Sequence, residues 1–85
     1  MRKTGDEAMN KERRAKLVNL RERLTVIKAE LEDVKDLEQN ALDNMPENMQ
    51  DGERGQQMSG NVEIMNDVID YLDQSDESLS SLIDA

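Results

Sequence analysis

Neither cysteine nor histidine occurs among the 85 residues. The first absence excludes disulfides, thiolate metal sites and cysteine nucleophiles. The second removes the commonest general base, the commonest transition-metal ligand and any serine–histidine triad. Tryptophan and phenylalanine are missing too, and Tyr71 is the only aromatic residue, so no stacking platform for single-stranded nucleic acid can be built. No apolar run exceeds three residues, which is far too short to span a bilayer. Basic residues near the start are not followed by an apolar stretch, which argues against a secretory signal. A soluble protein of the cytoplasm is the default expectation.

Proline is present once, as Pro46, and two of the four glycines, Gly52 and Gly55, lie within ten residues of it. The stretch Asp43–Gly55 therefore punctuates a chain that otherwise reads as helix on both sides. Residues 1–5 are expected to be disordered and residues 6–85 to form one helical hairpin. Its first helix is expected over about 6–45 with Asp6 as N-cap, the bend over 46–53, and the second helix over about 54–84. The Pro46–Met49 stretch has the composition of one short helical turn, and Asp51-Gly52 that of a turn and cap.

Apolar residues recur at Leu17, Leu20, Leu24, Ile27, Leu31 and Val34, in alternating steps of three and four. This is a heptad seam with a at Leu17, Leu24 and Leu31, and d at Leu20, Ile27 and Val34. Glu38, Ala41 and Met45 continue the frame. The second half carries Met58, Val62, Met65, Ile69, Leu72, Asp76, Leu79 and Ile83 at the same spacing. Antiparallel pairing of positions whose numbers sum to 103 matches every a with a d across eight layers, from Met45–Met58 to Leu20–Ile83. In that register Met49 is free to fold back over the last layer, and residues 6–16 project beyond the second helix as a basic stub. Glu38 and Asp76 fall on seam positions, where a polar residue commonly sets register or partner number.

A second apolar stripe runs through Ile64, Val68, Tyr71, Ser75, Ser78 and Leu82, and Leu37 and Leu42 flank the first seam. Two helices cannot cover two stripes. The fold class expected is all-α, an antiparallel coiled-coil-like two-helix hairpin that dimerises into a four-helix bundle.

The net charge is −9, unevenly spread. Residues 1–28 hold nine basic residues against four acids; residues 29–85 hold two against sixteen. Such an acidic body opposes direct nucleic-acid and membrane binding, although Lys11, Arg13, Arg14 and Lys16 make a local basic exception. A calcium loop centred on Gly52 fails, because Met49 and Met58 would fall on ligand positions. Acid pairs such as Asp33/Asp36, Glu63/Asp67 and Asp67/Asp70 have the spacing that all-α magnesium-dependent nucleotide hydrolases use. Here they fall on the outer face without a basic phosphate clamp, and a solvated face is the simpler reading. No catalytic, metal or cofactor-binding residue is assigned.

The segment Asp43-Asn44-Met45-Pro46-Glu47-Asn48-Met49-Gln50, followed by Glu53-Arg54-Gly55, resembles a D-N-M-P-E-N-L-Q…E-R-G signature. That signature is found in small proteins encoded by bacteriophages, prophages and their bacterial hosts. The arrangement matches over residues 17–85, with Met49 where leucine is usual, and the basic start is unmatched. The resemblance implies a helical hairpin of phage type in a bacterial host cell, and no particular activity. The reading drawn is a non-enzymatic interaction protein that binds itself and a bacterial host or defence protein through its acidic surface. A structural or assembly module is the alternative. Candidate contact residues are Asn44, Met45, Pro46, Glu47, Asn48, Met49, Glu53 and Arg54 at the bend, with Ile64, Val68 and Tyr71 on the second stripe.

Overall fold

Asn10 opens the first helix: its Oδ1 accepts a hydrogen bond from the Arg13 N–H at 2.8 Å, tying down one of the orphan donors of the first turn. The computed structural model describes residues 10–85, and in it α1 runs Lys11–Asp43. Asp6, the cap expected from the sequence, lies outside the described residues, as do residues 1–5. No glycine or proline interrupts the 33 residues of α1. It stops where Pro46 restricts Met45 and removes an N–H from the ladder.

One helical turn, α2 (Glu47–Gln50), follows with Pro46 as its N-cap residue. The Pro46 carbonyl accepts from the N–H groups of Met49 at 2.8 Å and Gln50 at 3.1 Å. The third helix, α3 (Glu53–Asp84), starts from Gly52 in extended conformation. Glu53 stands in its first turn, where a negative charge meets the positive end of the helix dipole. No strand occurs among the described residues.

Helices α1 and α3 pack against each other as an antiparallel hairpin. The radius of gyration is 19.6 Å, against about 12 Å for a compact domain of this length. The molecule is a rod with a seam instead of a centre. Among the described residues only two apolar side chains, Val62 and Ile69, are as little as 8% exposed.

On α3 the covered side chains include Met58, Val62, Met65, Ile69, Leu72, Asp76, Leu79 and Ile83, the seam read from the sequence, with Asp73 and Ser80 beside it, and Gly55 extends it by one turn. On α1 the expected face is corrected. The a positions Leu17, Leu24, Leu31 and Glu38 are sheltered, but Leu20, Ile27 and Val34 stand 44%, 49% and 51% exposed. Their place in the seam is taken by Arg21, Lys28, Lys35 and Leu42, four residues after each a. The helix is thus rolled by about 50° from the a–d frame, the angle between neighbouring seam midlines in a heptad. The roll brings charge pairs across the seam. A two-helix contact cannot cover a, d and e together, and Arg21 and Lys28 reach acids on α3 while their methylene stems shield the layers beneath.

The register shifts as well. Cross-helix pairs sum to 97 for Arg21 with Asp76, 99 for Glu38 with Asn61 and 101 for Lys28 with Asp73, not 103. The helices overlap by about one more turn than the a–d match implies. Arg14 therefore does not project past α3. Its Nε donates to the Ile83 carbonyl at 2.8 Å and its Nη2 to the Ala85 carbonyl at 3.0 Å. The final turn of α3 has no basic residue of its own, so α1 provides the cation and donors that its carbonyls call for.

Candidate interaction surface

Three surfaces are built by this seam: the bend at one pole, a charged long face, and an apolar long face.

At the bend, the expected plug Met49 is corrected: it is 48% exposed. Gln50 turns inward instead. Its Nε2 donates to the carbonyls of Met45 at 3.0 Å and Leu42 at 3.2 Å, with the Asp43 carbonyl at 3.5 Å. These carbonyls cluster where α1 ends, and one amide side chain serves them, the Leu42 carbonyl also accepting from the Met45 N–H at 3.1 Å. Gly55 is buried directly under the Gln50 backbone, and a Cβ there would collide with the Gln50 carbonyl. Gln56 adds a bond from its Nε2 to the Asp51 carbonyl at 3.1 Å. Pro46, Gln50 and Gly55 thus have structural work within the bend. Asn44, Glu47, Asn48, Met49, Glu53 and Arg54 expose their side chains, and Met45 is half-buried. Sequence reasoning missed Gln50 and Gly55. The available signal was that Gly55 lies three residues before Met58 and seven before Val62, on the seam rather than in the turn.

The charged face is defined by two cross-helix pairs. Arg21 clamps Asp76 with Nε–Oδ1 at 2.7 Å and Nη2–Oδ2 at 3.2 Å, and Lys28 Nζ meets Asp73 Oδ1 at 2.6 Å. The Arg21 hydrogen bonds hold the Asp76 carboxyl below its usual range, outweighing the desolvation that opposes them. Bonding to Asp73 raises Lys28 in the same way, against partial desolvation. Asp76, a polar intrusion when only α3 is considered, is therefore matched across the seam. Beyond these pairs, Glu63, Asp70 and Glu77 project outward from α3, at steps of seven, with Asp67 beside them. Among the described residues no three carboxylates converge as a bound metal would need.

The opposite side is marked by Asn61, whose Nδ2 donates to Glu38 Oε2 at 3.0 Å. Glu38 is the second polar seam residue, and its partner lies on the flank away from Arg21 and Lys28. Val68, Ser75 and Leu82 follow Asn61 at steps of seven and share that flank. On α1, Leu20, Ile27 and Val34 lie beside the a row on the side away from Arg21 and Lys28, which is the same flank. Two rows of exposed apolar side chains therefore face one direction. Ile64 and Tyr71 widen the α3 row and are 62% and 63% exposed. The rows are also level. Leu20 with Leu82, Ile27 with Tyr71, Val34 with Val68, and Leu37 with Ile64 sum to between 98 and 102, within one residue of the 97 to 101 spanned by the cross-helix bonds. Four apolar rungs cross this face.

No helix among the described residues is long and apolar enough to cross a membrane. No family model, curated protein or solved structure matches the chain.

Proposed function

We propose that the chain is a non-enzymatic protein–protein interaction protein of phage or prophage type. It self-associates as a homodimeric four-helix bundle and acts in the cytoplasm of a bacterial host. The acidic outer side of α3, with Glu63, Asp67, Asp70 and Glu77, binds a host or defence protein that carries a basic groove. The supporting observation is the division of the rod into a charged face and an apolar face around a seam that buries few side chains. A surface so divided suits two contacts at once, one driven by apolar burial and one by charge.

Affinity capture from a bacterial lysate tests this, using the native chain beside a variant with Glu63, Asp67 and Asp70 changed to their amides. A basic partner that is lost with the variant and released by moderate salt supports the charge-driven reading. The second reading, an assembly module that docks through Ile64, Val68 and Tyr71, is favoured by their exposure. It predicts a partner indifferent to the amide substitutions and to salt, and lost with Tyr71→Glu.

A further inference from the structure

From the four level rungs, we propose that the apolar face is covered by the same face of a second copy, related by a two-fold axis parallel to the rod, with both bends at one pole. The proposal rests on the self-association reading above and specifies its surface and symmetry. Rotation about such an axis exchanges the two rows, so α1 of one copy lies over α3 of its partner. It preserves height, and because Leu20, Ile27, Val34 and Leu37 are level with apolar residues of α3, each rung of one copy meets a rung of the other. Every neighbouring helix pair in the bundle is then antiparallel, as in an up–down four-helix arrangement.

Charge and area support a second copy as the occupant. The charged pairs Arg21–Asp76 and Lys28–Asp73 lie on the far sides, so two chains of net charge −9 meet through their least charged faces. At the basic end, Lys16 and Arg23 of one copy come level with the closing turns of its partner's α3, the negative end of a helix dipole. Between the heights of Lys16 and Leu42 the face measures roughly 40 Å by 20 Å from helix rise and diameter, on the order of 800 Å² per protomer, which is what a stable dimer buries.

Because the chain has no cysteine, single-cysteine labels report without background. The first measurement is the distance between spin labels on Asn48→Cys in the otherwise native chain. Bends at one pole place the labels within about 30 Å, whereas an end-for-end dimer separates them by about 50 Å, the length of α1 at 1.5 Å per residue. The second is oxidation of an equimolar mixture of the Val34→Cys and Val68→Cys chains. Mixed disulfide dimers should exceed either homodimer several-fold. Val34→Glu and Tyr71→Glu should each weaken dimerisation at least tenfold by sedimentation. Labels about 50 Å apart, or Val34 cross-linking chiefly to itself, would overturn this symmetry while leaving self-association standing. A single-chain mass at all concentrations up to the hundred-micromolar range would overturn both.

Discussion

Gly55 and Gly60 are five residues apart on one helix, and their surroundings make them opposites. A Cβ at Gly55 would strike the Gln50 backbone, whereas one at Gly60 meets nothing within 4 Å. Gly55→Ala is expected to destabilise the hairpin by about 2 kcal/mol, since a backbone carbonyl has to move. Gly60→Ala should stabilise it by up to about 1 kcal/mol through helix propensity. Paired urea titrations check both signs, and equal effects would refute the close approach at Gly55. Asp76 supplies a pH test. Its folded carboxyl is held lower than in the unfolded chain, so its contribution is complete above the ordinary carboxylate range and is lost as pH falls through the lowered value. The stability gap between native chain and Asp76→Asn should thus be constant above about pH 5 and close progressively in acid below about pH 4. A gap independent of pH would show that Arg21 gains nothing from the charge.

The elements differ in how openly the sequence displays them. The seam of α3 is legible because its apolar steps of three and four have no competitor of equal length. The bend is legible through Pro46 and Gly52. The roll of α1 is not, because Leu17, Leu24 and Leu31 can be flanked either by Leu20, Ile27 and Val34 or by Arg21, Lys28 and Lys35. Counting apolar residues chooses the first. Asp76 chooses the second, since an acid on the α3 seam calls for a cation opposite, and Arg21 reaches it only after the roll. The candidate contact surface was half legible for the same reason. The α3 stripe of Ile64, Val68 and Tyr71 is exposed as expected, and its α1 counterpart was hidden among supposed core positions. The end of α3 depends on α1 too. Arg14→Ala removes two bonds to the Ile83 and Ala85 carbonyls and should raise amide exchange in the last two α3 turns several-fold, with little change around Val62. Uniform acceleration along α3 would instead mark Arg14 as part of the global fold.

For the whole molecule, the small number of buried side chains controls what should be seen on heating. A rod with Val62 and Ile69 as its most sheltered apolar residues gains little from its own seam. If a second copy provides the missing burial, unfolding is coupled to dissociation and the melting temperature rises with protein concentration. Calorimetry from about 5 to about 500 µM should show this rise for the native chain, and Tyr71→Glu should flatten it. A melting temperature independent of concentration would leave the seam alone responsible for stability.

The bond between Arg14 and the Ala85 carbonyl has a mechanical consequence. It places the entrance of the first helix and the exit of the last at the same pole, with the bend about 50 Å away along the rod. Tension applied between those two points cannot shear the helices past one another. It peels them apart one layer at a time, the Arg14 contacts yielding first, Arg21–Asp76 and Lys28–Asp73 in turn, and the packed corner of Gln50 over Gly55 last.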